Sequence, residues 1–373
     1  MPLGIIDCDI HPTLPGLSAF LPYMSDAWRH RLSDRAPLSL VQRLPGRAWR
    51  FTGGASNLRP DAAPPGGGAP GSDPEFMLKD HFDRNQIEVG ILLPIEPARV
   101  DMWTNADEAA VIVSAGNELI KNEWLSLDER FQVAMVVSPW DPEQAAAEIR
   151  RFGRNGQVVG VWLPIINRLL GDRFFYPIYE AAAELQLPIV LHPTGSDGDY
   201  IGAPEYAGGL VPSRQERYNL LAQFGMSHTS SLIFEGVFER YPDLKVVVAE
   251  FGWTWAPTFM WRMDATWKAG RPSFPWVKKP PSEYVSDHIR FTTEPALEPP
   301  TERHAAQILE WMDASRTVLY SSDYPHWDGD EPATVFKTVS ADLKRRIFRE
   351  SALETYPRIK VKAPNAKQVE AAQ

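Results

Sequence analysis

The sequence predicts an α/β protein of the (β/α)8 TIM-barrel class, and two observations carry that prediction. Eight short apolar runs rich in β-branched residues recur along the chain, at residues 4–10, 88–95, 131–138, 158–165, 188–192, 245–250, 289–293 and 317–322, each bounded by Pro, Gly or charge. Segments with helical periodicity stand between them, and this alternation builds a parallel sheet with crossover helices. Eight such units close a barrel whose active site lies at the carboxyl ends of the strands.

Strand one ends in Asp7-Cys8-Asp9-Ile10-His11. Side chains alternate along a strand, so residues 7, 9 and 11 point to one side and Asp9 and His11 converge. Cys8, the only cysteine, points the other way, which makes it a packed thiol and excludes an intrachain disulfide. The loop after strand one holds Gly53 to Pro74, with Ala62-Ala63-Pro64-Pro65-Gly66-Gly67-Gly68-Ala69-Pro70-Gly71 at its centre. Its apolar content is too low to repay ordering, so it reads as a mobile insertion over the catalytic face, a disordered excursion before a lid.

Helices are predicted over Asn105 to Leu125 and Glu143 to Phe152, on either side of strand three, and over Phe174 to Leu185 after strand four. Strand four ends in Val161-Trp162-Leu163-Pro164, and strand five runs into Leu191-His192-Pro193. One long helix is predicted from Leu220 to Tyr241, carrying His228. Strand six ends in Ala249-Glu250-Phe251-Gly252-Trp253 and is followed by a helix from Trp255 to Trp267. Trp255, Phe259 and Met263 recur there at four-residue intervals, one helix face suited to core or subunit packing; a homodimer is the expectation. Strand seven ends in Thr292-Thr293-Glu294-Pro295, and strand eight in Ser321-Ser322-Asp323-Tyr324-Pro325-His326. Residues 1–360 then form a single domain, and Val361 to Gln373 a disordered polar tail.

The composition, 44% hydrophobic and 23% charged over 373 residues, is that of an ordinary globular protein. No run approaches the roughly 20 apolar residues of a membrane span, and strand one begins too near the first Met for a leader peptide, so a cytoplasmic location is expected. A net charge of -10 and a pI of about 5.4 argue against nucleic-acid binding. An anionic substrate needs a local cation, for which Arg214 and Arg217, after strand five, are candidates.

Asp9, His11, His192 and Asp323 are metal-ligand types at the ends of strands one, five and eight. His192 taken alone could cap its loop, and Asp323 could be an Asx turn. Barrel closure brings the four together, however, and two imidazoles with two carboxylates suit a divalent ion, zinc or manganese first and iron after them.

These motifs resemble the metal-dependent amidohydrolase superfamily, in the branch similar to aminocarboxymuconate semialdehyde decarboxylase. The resemblance rests on Asp7 to His11, on Leu191-His192-Pro193, on Phe234 to Lys245 and on Ser322 to His326, and it spans nearly the whole chain. It implies metal ligation by Asp9, His11, His192 and Asp323, the last touching metal, water or both. Strand four carries no lysine for the carbamylated bridge of the dinuclear hydrolases. Strand six offers Glu250 where many relatives have a proton-transferring histidine, and His326 is an additional imidazole.

The leading expectation is a metal-dependent hydrolase or nonoxidative decarboxylase (carboxy-lyase) acting on a small aromatic or unsaturated carboxylic acid. Glu250 or His326 would move the proton, beside Asp323, and Trp162 and Trp253 would wall the pocket. The second reading is a dinuclear iron/manganese oxygenase, with His228, Glu250 and His326 on a second ion and Glu294 as a weaker candidate. A third is an inactive partner subunit. His30, His81 and His304 read as exposed, and His288 belongs to the opposite end of the barrel.

Overall fold

The computed structural model describes residues 4–33, 58–103, 105–194, 214–296 and 299–361. Eight parallel strands lie side by side in chain order. They are β1 (Ile5–Ile10), β2 (Ile87–Leu92), β3 (Phe131–Val136), β4 (Val158–Trp162), β5 (Ile189–Leu191), β6 (Val246–Val248), β7 (Ile289–Thr292) and β8 (Val318–Leu319). Apart from Ile5 and Glu88, every strand residue is buried, because helices cover the sheet outside and side chains fill it inside. This is the (β/α)8 barrel that the alternation predicts.

With only two residues in β8, the seam is closed largely by the chain beyond it. Cys8 N–H donates to Tyr320 O at 2.9 Å, Asp323 N–H to Asp9 O at 3.1 Å, and His11 N–H to Tyr324 O at 2.7 Å. Those bonds pin the ends of strands one and eight together at the mouth.

The helices begin where capping side chains allow. Asn105 accepts from Glu108 N–H to start Ala106–Ile120, and Asp141 accepts from Glu143 and Gln144 N–H ahead of Pro142–Phe152. The long helix expected from Leu220 to Tyr241 is instead Ala222–Phe234 followed by Val237–Arg240. Gly236 breaks it at φ 76°, where a Cβ would also meet Trp276 Cδ1 at 2.8 Å. Trp255 and Met263 are buried, with the Trp255 ring 5.8 Å from Phe259 and 5.4 Å from Phe291, so this face packs into the core.

The described part of the Gly/Pro-rich insertion is folded onto the mouth, contrary to the expected excursion. Arg59 N–H donates to Pro325 O at 2.8 Å, Thr13 N–H to Gly71 O at 2.9 Å, and Thr13 Oγ1 to Pro70 O at 2.7 Å. Gly71, at φ 73°, sits where a Cβ would meet Pro325 Cγ at 2.7 Å and His11 O at 3.1 Å. Main-chain hydrogen bonds, which a hydrophobicity pattern does not reveal, hold residues 58–74 in place. Residues 53–57 and the tail beyond 361 lie outside the described residues. Among the described residues, no helix is long and apolar enough to cross a membrane.

Candidate metal centre

Asp9, His11, His192 and Asp323 offer ligand atoms that all lie within 4.8 Å of one another, and all four residues are buried. His11 Nε2 stands 3.0 Å from Asp9 Oδ1 and 2.9 Å from Asp323 Oδ1. His192 Nε2 stands 3.3 Å from Asp9 Oδ2 and 2.9 Å from Glu250 Oε2. Strand ends from three parts of the barrel thus face one point, as the sequence predicts for Asp9 and His11.

Both imidazoles are oriented from behind. His11 Nδ1 lies 2.8 Å from Leu93 O, and His192 Nδ1 lies 2.7 Å from Pro193 O. A carbonyl only accepts, so each Nδ1 carries the proton and donates it, which turns the Nε2 lone pair toward the centre. Both Nε2 atoms, both Asp9 oxygens and Asp323 Oδ2 are buried without a hydrogen-bond partner. Two neutral nitrogens and two carboxylates with no donor between them are a donor set for a divalent cation.

Without a cation, protons take its place. Burial by itself would lower His192, but Asp9 and Glu250 outweigh it and push the imidazole up to about 9. Burial is likewise overcome at His11, which Asp9 and Asp323 hold well above its ordinary range. Burial opposes ionisation of Asp9, and His192 and His11 nevertheless hold it well below the usual carboxylate range. A divalent cation held there would displace protons from the two histidines.

A second group overlaps the first. His11, Glu250, Asp323 and His326 also lie within 4.8 Å of one another through one atom each. His326 Nδ1 is 2.6 Å from Asp323 Oδ1. Glu250 and Asp323 adopt left-handed backbone conformations, at φ 62° and 57°. Such positions are costly for residues other than glycine, and they cluster where a site constrains the chain.

The remaining predicted residues fall into place unevenly. Trp162 is fully buried with its ring 5.1 Å from that of His192. Trp253 is equally buried but gives its indole N–H to Thr293 O at 3.1 Å and Pro295 O at 3.3 Å. It braces the strand end that carries Glu294. His228 belongs to neither group: its Nδ1 accepts from Leu170 N–H at 3.4 Å, and burial drops it to about 4. The second group of donors forms without it. Arg217 is buried on the helix Arg214–Leu220; the Arg214 side chain is outside the described residues. Glu294 is buried with Oε2 unpartnered; burial first, then Asp323 and Glu250, raise it well above the carboxylate range. The same causes push Asp328 up to about 7, and burial pushes Asp330 up to about 6.

His81 is the residue the sequence reading misplaced. It is buried, not exposed, with Nε2 2.8 Å from Asp7 Oδ2 and 3.1 Å from Ser322 Oγ. Asp7 also accepts from Ser322 N–H at 2.9 Å. It stands outside both ligand groups, and the pairing of β1 with β2 is irregular between Asp7 and Ile10. A signal was available: His81 lies four residues after Met77 and beside Phe82, both fully buried, on the inward face of its helix. His81→Ala leaves the Asp7 carboxylate buried without its imidazole. The expected result is a loss of about 3 kcal/mol in urea denaturation and roughly tenfold weaker metal binding; unchanged values would show that the contact is dispensable.

A family model described as Amidohydrolase matches residues 6–358. The gamma-resorcylate decarboxylase of Polaromonas sp. (strain JS666) is 26% identical over 284 residues, covering 71% of this chain and 82% of that protein. The 2-amino-3-carboxymuconate-6-semialdehyde decarboxylase of Dictyostelium discoideum is 23% identical over 297 residues, 76% of each. A crystal structure of 5-carboxyvanillate decarboxylase from Novosphingobium aromaticivorans, complexed with manganese and 4-hydroxy-3-methoxy-5-nitrobenzoic acid, superposes with a TM-score of 0.65. It is 21% identical and covers 95% of this chain and 96% of that one.

Proposed function

Because the chain belongs to the amidohydrolase family, we propose that it is a metal-dependent, nonoxidative decarboxylase of a small aromatic or unsaturated carboxylic acid. The observation that carries this reading is the pair of imidazoles whose Nδ1 protons are spent on Leu93 O and Pro193 O. Each then offers a free Nε2 beside Asp9. Decarboxylation is favoured over hydrolysis by the activities of the relatives named above. The manganese in the 5-carboxyvanillate decarboxylase structure supports a divalent ion, as does the unpartnered donor set.

Asp9, His11, His192 and Asp323 would hold the ion, whose Lewis acidity orients substrate oxygens and stabilises negative charge as the carboxylate leaves. Trp162 keeps water from the His192 side. His326 donates its Nδ1–H to Asp323 Oδ1, so that in the imidazolium form the second proton sits on Nε2, from which it is delivered to the substrate carbon. The bond to the carboxylate carbon breaks, its electron pair stays on the substrate, and the proton from His326 takes the place of the departing CO2. Solvent then reprotonates the imidazole at Nε2.

In D2O under nitrogen, turnover of acids such as 2,6-dihydroxybenzoate is expected to release CO2 and place one deuterium at the vacated carbon. Chelation should abolish both. Turnover by chelated, metal-free protein, or oxygen consumed in step with product, would falsify the reading.

The second group of ligand types favours one further reading, a second iron or manganese on Glu250, Asp323 and His326 and hence oxygen activation. His11 limits it, since its Nδ1 is committed to Leu93 O and its single Nε2 serves one ion. Elemental analysis decides: one divalent ion per chain supports the decarboxylase, two redox metals the oxygenase.

A further inference from the structure

At the end of the barrel away from the mouth, a cleft of about 520 Å³ opens between the starts of β6, β7 and β8. Lys245 precedes β6, Arg290 is the second residue of β7, Arg316 precedes β8, and Lys279 lies beside them. Four cations thus line one cleft in a protein whose net charge is -10.

The carboxylates that share the cleft are already engaged. Asp287 is taken by Lys279 and by Arg316, the latter at 2.9 Å. Glu239 is held by Lys278 and the Tyr284 hydroxyl, and Glu354 by Arg346 at 2.6 and 2.7 Å. Lys245 Nζ is left with a main-chain acceptor, Asp287 O at 2.7 Å. Arg290 has the carbonyls of Ser286 at 3.1 Å, Ile289 at 2.7 Å and Asp287 at 3.4 Å. Among the described residues no carboxylate pairs with either, and the Nε of Arg290, a residue 5% exposed, has no hydrogen-bond partner.

Carbonyls at a helix end account for part of this arrangement, since Pro281–His288 ends here and cations suit its terminus. They do not account for a buried Arg290 beside a half-buried Lys245, neither of which forms a salt bridge among the described residues. Burial and the adjacent Arg316 draw Arg290 down to about 10, and burial and Arg290 draw Lys245 down, the direction expected of like charges forced together.

We propose that this cleft binds a small dianion, specifically the phosphate group of a small molecule, with Lys245, Arg290 and Arg316 as its contacts. A dianion matches the two cations that form no salt bridge, Lys245 and Arg290, and a guanidinium fork suits tetrahedral oxygens. The cleft is also larger than phosphate alone requires, leaving space for the group that bears it. This site is independent of the decarboxylase reading.

The test is calorimetric titration of inorganic phosphate into metal-loaded protein at constant ionic strength. Saturable one-site binding is expected, weakened at least about tenfold in Lys245→Met and in Arg316→Gln and unchanged by chelation. Arg316 is half-exposed, so that variant carries the test if Lys245→Met does not fold. Absence of saturable heat at millimolar phosphate overturns the proposal. So does binding that both variants retain but chelation removes, which would put phosphate on the metal. Malonate binding more tightly than phosphate would overturn the assignment to a phosphate group.

Discussion

His192→Ala is expected to purify with almost no bound metal and to lose decarboxylation by about 10³-fold or more. The imidazole is one of two nitrogen donors, and the several kcal/mol that a metal contributes to stabilising developing charge are worth about that factor. Metal affinity should fall more than about 100-fold, beyond what loss of a supporting residue produces. The variant also has a pH signature in its metal-free form. His192 is raised in the folded protein to about 9 by Asp9 and Glu250 against the cost of burial. A raised folded value stabilises fully below the unfolded value of about 6.5 and is lost as pH climbs through about 9. The stability gap between metal-free wild type and metal-free variant should therefore be widest near pH 6 and close by about pH 9. Denaturant midpoints across that range check it, and a gap that grows with pH would contradict the charge arrangement described here.

His326→Asn should behave differently, keeping about one metal per chain while kcat falls by about 10² to 10⁴, the usual contribution of a positioned acid or base. His326 touches Asp323 through Nδ1 at 2.6 Å and has Nε2 left for the substrate. Substrate affinity should change little, because the residue acts on the proton and not on the substrate's oxygens. Deuterium incorporation in D2O should slow in parallel with CO2 release. If metal content falls with activity instead, His326 is a ligand, and the second group of donors is occupied as a metal site.

The barrel and the primary centre were legible because both depend on patterns that survive in one dimension. An apolar run followed by a ligand residue marks Asp9, His11, His192 and Asp323 wherever the loops go. Other features depend on partners that the pattern does not name. His81 looked exposed beside Asp80 and Asp83, yet its helix turns it toward Asp7, 74 positions away in sequence. His228 and Glu250 are both ionisable residues near strand six, and only the strand end carries its side chain to the centre. Residues 58–74 contain too few apolar side chains to announce a packed segment, because hydrogen bonds to Thr13 and Pro325 hold them. Where main-chain groups or distant side chains decide the outcome, local composition is silent.

The seam between strands one and eight has a consequence for how the molecule is made. During synthesis Asp9 and His11 leave the ribosome long before Asp323 and His326, and the bonds from Cys8, His11 and Asp323 that join them cannot form until the 311 to 313 residues between each pair are made. Until then the first strand is an open edge with a buried-type carboxylate and imidazole displayed on it. An ion held by Asp9, His11, His192 and Asp323 would consequently be acquired only after the seam has formed, and a translation product truncated before Asp323 would carry half a seam and half a centre.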